Sequence, residues 1–328
     1  MGTNKTSAGM LLPVLLCLAM TGCDESGDSH GPQPNKEALW KLFVDGTSER
    51  TQHFALNAAT GGNITAAQGT IVKFAANAFQ KLNGNPVTGS VDINLVEIYD
   101  RSTMVLTKRH TNGKNGDNKI EALISGGEFY VNAMQDGMQL NPTFVYEIVA
   151  PTKNMGEIDP DMRLFNGLDA CIGDDCDVIW TENTDHGIEI GELETMGRYQ
   201  NAYFVFQSYF GWTNIDRWFN DPRQKTTIFV DVPEGFDNSN CAVFIAYEGE
   251  PAALGRFDIY DESSQMFTEH YGLVPIGIGI HVILISVVDE AIHYAVQSAT
   301  VTEDHVVTID KVESISEEAL IDLIDNLP

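Results

Sequence analysis

Between residues 54 and 151 the sequence alternates apolar and polar side chains over short segments, which is the period of a half-buried β-strand. Every second residue is apolar in 90–95 (SVDINL), and the same holds in 128–133 (EFYVNA). Dipeptides that favour tight turns occur among these segments, at Asn83-Gly84, Asn112-Gly113, Asn115-Gly116 and Asp136-Gly137. The alternation therefore predicts short strands that reverse at these dipeptides and pack as a β-sandwich.

Strand patterns resume beyond a loop-like stretch at 151–167, in segments rich in β-branched and aromatic residues: 202–206, 227–232, 243–247 and 257–260. The apolar run at 277–288 is too short to cross a bilayer and predicts a buried strand. Ser314 and Glu317 have the spacing of a capping box and predict a short amphipathic helix over 314–327, packed against the second domain. The predicted fold class is mainly β, with two β-sandwich-like domains at 37–151 and 152–328 and a short C-terminal α-helix.

Residues 1–22 have the pattern of an export signal. Lys5 precedes an apolar run at 10–20 (MLLPVLLCLAM), and this run suits an export signal but falls short of the roughly 20 residues that span a bilayer. The run ends in Met20-Thr21-Gly22-Cys23, which resembles the lipobox of bacterial lipoproteins, with Met20 where Leu is usual. The resemblance implies cleavage before Cys23 and acylation of that residue. The alternative is an ordinary secretory signal followed by an incidental cysteine.

Residues 23–36 are polar and rich in turn formers, so they predict a flexible acidic tether. Asp24, Glu25 and Asp28 directly follow the cysteine, and this arrangement resembles the surface-export signal of Bacteroidota lipoproteins. The alternative is a solvated tether whose charges do not act as an export signal. We therefore expect an outer-membrane lipoprotein, at the cell surface or facing the periplasm, whose membrane partner is reached through the lipid at Cys23.

The chain is strongly acidic, with a formal net charge of -28, and the charge is unevenly distributed. From residue 151 onward there are 33 Asp and Glu against 8 Lys and Arg, which gives -25 for this part alone. Nucleic acid is excluded as a partner, because its binding depends on basic side chains that neutralise phosphates. A protein or glycan partner remains compatible with this surface.

Two acidic clusters could supply the oxygen ligands that Ca²⁺ requires. The first cluster, for which calcium binding is predicted, comprises Asp169, Asp174, Asp175 and Asp177. The second comprises Glu189, Glu192 and Glu194. The alternative is a solvated acidic loop, since the D-x-D-x-D-G pattern is absent. No other cofactor is expected.

Three cysteines follow Cys23, in a compartment that favours disulfides. Cys171 and Cys176 flank a short loop that contains a glycine, so a local disulfide between them is predicted. Cys241 then stays as a buried free thiol.

Several segments of the first half resemble the ZU5-like or carboxypeptidase-regulatory-like β-domains of Bacteroidota surface proteins. They are 68–74 (QGTIVKF), 77–79 (NAF), 84–91 (GNPVTGSV) and 125–131 (SGGEFYV). The segment 210–219 (FGWTNIDRWF) resembles a signature of uncharacterised Bacteroidota lipoproteins, with Ile215 where that signature has Cys. These resemblances imply an accessory β-module and carry over no catalytic residue.

Motifs that carry catalytic chemistry are missing from the sequence: it has no G-x-S-x-G, H-E-x-x-H or G-x-x-x-x-G-K pattern. Trp212 and Trp218 beside Asp216 and Arg217 form an aromatic and polar set that could bind sugar rings; the alternative is core packing with an Asp216–Arg217 ion pair. We therefore expect a non-enzymatic, lipid-anchored envelope module whose partner the sequence does not identify. The alternative is an accessory glycan-binding or hydrolase component of a surface polysaccharide-utilisation system.

Overall fold

The computed structural model describes Gly2 and residues 33–172, 175–195, 197–269 and 272–328, without the side chains at 169–172, 175–176 and 195. Cys23 and, apart from Gly2, the predicted export signal lie outside the described residues. The fold is mainly β, as predicted. The described residues from 33 onward form one compact unit.

The strands of the first part of the chain are β1 (Gln52–Asn57), β2 (Gly62–Thr65), β3 (Ile71–Phe74), β4 (Phe79–Lys81), β5 (Ser90–Ile98), β6 (Asn112–Lys114), β7 (Ile120–Gln135), β8 (Met138–Pro142), β9 (Tyr146–Pro151), β10 (Arg163–Ile172), β11 (Asp175–Glu182), β12 (Ile188–Thr195), β13 (Arg198–Gln207) and β14 (Gly211–Trp218). The strands of the second part are β15 (Lys225–Thr226), β16 (Ile228–Asp231), β17 (Cys241–Tyr247), β18 (Leu254–Arg256), β19 (Ile259–Asp261), β20 (Met266–Thr268), β21 (Val274–Pro275), β22 (Gly279–Val288), β23 (Ala291–Thr300), β24 (His305–Thr308) and β25 (Glu313–Ile315). The helices are α1 (Lys36–Glu49), α2 (Arg101–Leu106) and α3 (Glu317–Asp325), with a 3₁₀ turn at Thr152–Asn154.

The long strands assemble into two sandwiches. In the first, sheet I has the order β1-β5-β7-β14-β10-β11-β6 and faces sheet II, which has the order β12-β13-β9-β3-β2. In the second, sheet III has the order β18-β17-β22-β23-β25 and faces sheet IV, which has the order β19-β20-β16-β24. A third core lies between the outer faces of sheets I and III and includes apolar residues of all the helices named above.

The division between the sandwiches differs from the predicted boundary at 151/152. Strands from the two sides of that boundary pair directly, because β13 lies beside β9 and β14 lies beside β7. Sheets I and II use strands up to Trp218, and sheets III and IV begin at Ile228. The loop-like stretch after Pro151 contains a 3₁₀ turn that joins two sheets of the same sandwich.

The structure differs from the sequence expectation at the predicted tether. Pro34 bridges to Val288, the Asn35 N–H donates to the Val287 carbonyl, and the Asn35 side chain caps α1. The folded part therefore begins at about residue 34, before the predicted limit at 36.

Helix α1 was not expected from the sequence. Leu39, Phe43 and Gly46 form its buried stripe, at the i, i+4, i+7 spacing of one helix face. Glycine at position 46 permits close packing, since a Cβ there would lie 2.3 Å from the Leu106 carbonyl oxygen of α2.

The C-terminal helix is present, and its start differs from the prediction. Ser316, and not Ser314, is the N-cap, and its hydroxyl accepts from the Ala319 N–H. Leu320 and Ile324 are buried in the core between sheets I and III, so the helix packs inward. Asp325 accepts hydrogen bonds from the backbone and hydroxyl of Ser102 on α2.

Two further local predictions can be compared with the structure. The run at 277–288 contains β22, whose residues after Gly279 are all buried, as predicted. The dipeptide Asn112-Gly113 was expected at a turn but lies inside β6, between β11 and β7.

Candidate functional site

Sheet I contains two carboxyl groups buried side by side, which we call the buried carboxyl pair. Glu128 lies on β7 and Asp216 on β14, and both residues are 0% exposed. The two strands are paired, with Glu128 opposite Asn214 and Asp216 opposite Ser125 across a register shift between Asn214 and Asp216. The bulge changes the strict alternation and contributes to bringing the two acids together on the outer face of sheet I, the face that Tyr130 and Trp212 share.

Polar neighbours hold one member of this pair. The Asn214 amide donates to Asp216 Oδ2 at 2.7 Å, and the Ser125 hydroxyl donates to Asn214 Oδ1 at 3.0 Å. Among the described residues, neither oxygen of Glu128 has a hydrogen-bond partner. A buried carboxylate without donors is costly, so the neutral form of Glu128 is favoured.

The ionisation of the pair follows from this environment. Burial raises the pKa of Glu128 to about 8, against the opposing influence of the Arg109 guanidinium. Burial, and then the neighbouring Glu128, hold the pKa of Asp216 well above its usual range. At neutral pH Glu128 is therefore mainly protonated and neutral, and the raised pKa of Asp216 favours its neutral form as well.

A second group of ionisable residues, the basic cluster, surrounds Asp177 on β11. It consists of Lys108 and His110 from the segment between α2 and β6, and of Arg256 at the end of β18. Arg256 forms an ion pair with the Asp177 carboxylate, Lys108 Nζ lies 3.5 Å from Oδ1, and His110 Nε2 lies 4.0 Å from it. Asp177 is thus the common anion of three potential cations.

Burial and the mutual repulsion of the cations decide their charge. Burial, then the Arg256 and Arg109 guanidinium groups, lower the pKa of Lys108 to about 6. The same influences hold the pKa of His110 well below its usual range. A strongly perturbed pKa can mark a catalytic group, but only where substrate can reach it.

The two surface clefts described below do not reach the buried carboxyl pair or the basic cluster. A cleft of about 290 Å³ is lined by Asp221, Arg223, Glu248 and Glu250, among others. Another of about 340 Å³ is lined by side chains that include Leu82, Met138 and Leu140. Neither cleft is lined by a member of the buried carboxyl pair or of the basic cluster. Glu128, Asp216 and the three residues of the basic cluster are all buried, so both groups belong to the interior.

Of the two aromatics predicted to bind sugars, Trp212 lies in the core and Trp218 is partly buried against it. Trp212 is 7% exposed, its ring centroid lies 5.2 Å from that of Tyr130, and the Arg109 guanidinium lies 4.5 Å from its ring. Trp218 packs against Phe165 and donates its indole N–H to Glu182. Both contacts are those of the core-packing alternative.

The predicted ion pair between Asp216 and Arg217 is also absent. Consecutive residues of a strand point to opposite faces of the sheet, so these two side chains diverge. Asp216 is enclosed in the interior, whereas Arg217 pairs with Asp159 at 2.8 Å and with Glu250 at 3.4 Å.

The predicted calcium ligands are not brought together as far as the structure describes them. Asp177 is engaged by the basic cluster, and the nearby cations disfavour a divalent ion. The side chains of Asp169, Asp174 and Asp175 lie outside the described residues. Within the described part of the chain, no three His, Cys, Asp or Glu side chains are arranged to hold a metal ion.

The cysteines are described in part. Cys171 and Cys176 are directly opposite each other in the β10–β11 hairpin, a placement that suits a disulfide, although their side chains lie outside the described residues. Their disulfide therefore stays a prediction. Cys241 is a free, buried cysteine, as expected, and burial raises the pKa of its thiol and so disfavours the reactive thiolate.

Sequence reasoning missed both ionisable groups of the interior. The run Lys108-Arg109-His110 was the available signal, because three consecutive basic-type residues are unusual in a chain with only 19 Lys and Arg. Glu128 gave no such signal, since an acid that alternates with apolar residues is typical of a solvent-facing strand position.

The protein is therefore a mainly β protein of two sandwiches, with ionisable residues buried in its interior. None of the helices in the described residues combines the length and the apolar character needed to cross a membrane. Comparison with protein-family models and with curated proteins finds no match for this sequence.

Proposed function

We propose that this protein is a lipid-anchored module of the bacterial envelope that acts by binding or by structural support, and not by catalysis. The observation that carries the proposal is the segment from Lys5 to Cys23, in which a short apolar run ends at a lipobox-like cysteine. Acyl chains contribute about 0.8 kcal/mol per buried CH₂, so more than one chain on Cys23 would hold the protein stably at a membrane.

The start of the fold supports the same proposal. From Cys23 to Pro34, where contact with the folded part begins, the chain has only 11 residue steps. Fully extended, these steps span at most about 40 Å. An acyl chain on Cys23 would therefore keep the body within about one bilayer thickness of the membrane surface.

The arrangement of the interior supports a non-catalytic role. The ionisable groups with the most perturbed pKa values, including Glu128, Asp216 and Lys108, are enclosed by the sheets and line neither of the clefts described above. The glycan-binding alternative depended on Trp212 and Trp218 at the surface, but Trp212 is buried in the core and Trp218 packs against it. We therefore favour a non-catalytic module that presents its acidic surface to a protein or glycan partner.

Acylation can be tested with cysteine variants in the full chain. We expect labelled palmitate to enter the parent and Cys17→Ser, which removes a cysteine of the signal and serves as the matched control. Cys23→Ser should incorporate no label. A Cys23→Ser protein that takes up as much label as the parent would refute the anchoring. Protease added to intact cells then distinguishes the two locations, since only a surface-exposed protein is cleaved.

A further inference from the structure

The outward side of α1 presents an apolar pair at the point where the chain from Cys23 enters the fold. Trp40 is 45% exposed and Val44 is 47% exposed, and they lie one turn apart. Lys36, Glu37 and Lys41 are exposed beside them. We call Lys36, Trp40, Lys41 and Val44 the α1 outer face. The opposite side of the helix is buried, so α1 is firmly part of the body.

The position of this face relative to the tether limits what can cover it. Trp40 lies about 6 Å along the helix axis from Lys36, at 1.5 Å per residue. The chain between Cys23 and Pro34 is short, and α1 is the first helix that it reaches. A lipid on Cys23 would thus keep the start of α1 within about 40 Å of the headgroups of the same bilayer, near enough to reach them.

The charge of the helix fits that position. Lys36 and Lys41 offset two of the three acids of α1, and Lys41 forms an ion pair with Asp45, so the helix carries only -1, whereas the chain from residue 151 onward carries -25. Lipid phosphates repel the acidic surface but not this nearly neutral helix. The indole ring of tryptophan favours the boundary between headgroups and acyl chains, and lysine side chains extend from that boundary to the phosphates.

We propose that the α1 outer face lies in the headgroup region of the bilayer that holds the acylated Cys23, and so orients the protein on the membrane. The inference rests on the proposed lipid anchor. It adds a defined contact surface, with Trp40 and Val44 entering the interface and Lys36 facing lipid phosphates, while Lys41 stays paired with Asp45.

Tryptophan fluorescence tests this contact in the acylated full chain. The protein is reconstituted into vesicles of phosphatidylethanolamine and phosphatidylglycerol, with or without bromine on the acyl chains as the quencher. Of the 4 tryptophans, Trp180 and Trp212 are buried and Trp218 is partly covered, so Trp40 is the one with a large exposed surface. We expect bromine to remove up to about a quarter of the emission of the parent, and the loss to disappear in Trp40→Phe. Equal quenching of the parent and Trp40→Phe would overturn the inference.

Two valine variants distinguish membrane contact by the α1 outer face from a general effect of added negative charge. Val44→Glu should reduce the quenching of Trp40, because a carboxylate is excluded from the interface. Val306→Glu, at a valine of β24 that is 48% exposed, should leave it unchanged. Equal effects of the two variants would overturn the inference, and unchanged urea midpoints show that both variants fold.

The two proposals fail in different ways. A protein that incorporates palmitate and floats with the vesicles, but whose Trp40 is not quenched, retains the anchor and overturns the contact of α1. A protein without an acyl chain refutes the proposed function, and the contact falls with it.

Discussion

Replacement of Glu128 by glutamine tests whether burial holds the Glu128 carboxyl group in its protonated form. Glutamine keeps the size of the side chain and is neutral at every pH, as Glu128 is while it stays protonated. In the folded protein the pKa of Glu128 is raised from 4.5 to about 8 by burial. The folded state therefore binds the proton more tightly than the unfolded state does.

The sign and the size of the effect follow from this difference. The stability associated with a protonated Glu128 is fully present below about pH 4.5 and is lost as the pH rises toward 8, because the unfolded chain gives up its proton first. The loss amounts to about 1.4 kcal/mol per pH unit, so it reaches about 3–4 kcal/mol between pH 5 and pH 8. Glu128→Gln has no such loss, so its free energy of unfolding should rise relative to that of the parent across this range.

Urea unfolding at several pH values measures the difference between the parent and Glu128→Gln. The difference removes the contributions of groups that titrate alike in both proteins. We expect the variant to become progressively more stable than the parent from pH 5 to pH 8, and Asp216→Asn to change in the same direction. A difference that is constant over this range would show that Glu128 is not held in its protonated form, and would refute the reasoning.

Other predictions follow from single contacts. Asp177→Ala leaves the basic cluster without its anion and should lower the free energy of unfolding by about 3 kcal/mol in urea. Gly46→Ala places a Cβ 2.3 Å from the Leu106 carbonyl oxygen, so a loss of about 1–3 kcal/mol in the same assay should outweigh the better helix propensity of alanine. Ser316→Ala removes the N-cap of α3 and should cost about 1 kcal/mol, whereas Ser314→Ala should cost little; equal losses would contradict the assigned cap.

Local patterns in the sequence predicted the strands well. In β5 and β7 the residues that alternate as apolar, such as Ile93, Leu95, Phe129 and Val131, do fill the core between sheets I and II. A half-buried strand has a period of two whatever its partners are, so this signal survives without knowledge of the tertiary structure. Helix α1 was missed because it directly follows a polar tether and contains Gly46, whose role depends on contact with α2.

Features that depend on distant partners were not predictable in this way. The boundary near residue 151 came from local composition, but β9 pairs with β13 and β7 pairs with β14, each across more than 40 residues. The polar side of β7 was expected to face solvent, and the sequence does not reveal that sheet III and the helices cover it. For the same reason, the burial of Glu128 and of Trp212 could be recognised only from the assembled fold.

The buried ionisable groups show how this fold tolerates them. At pH 7 a Glu128 with a pKa of about 8 and a Lys108 with a pKa of about 6 are both mainly neutral. Their contributions to stability change in opposite directions. Between the folded pKa of about 6 and the unfolded value of 10.5, the unfolded state binds more protons at Lys108, so stability rises with pH there. Glu128 lowers stability with pH up to about 8, and the two slopes therefore cancel between pH 6 and pH 8. The interior can thus hold an acid and a base at separate sites while these two groups together leave stability nearly independent of pH around neutrality.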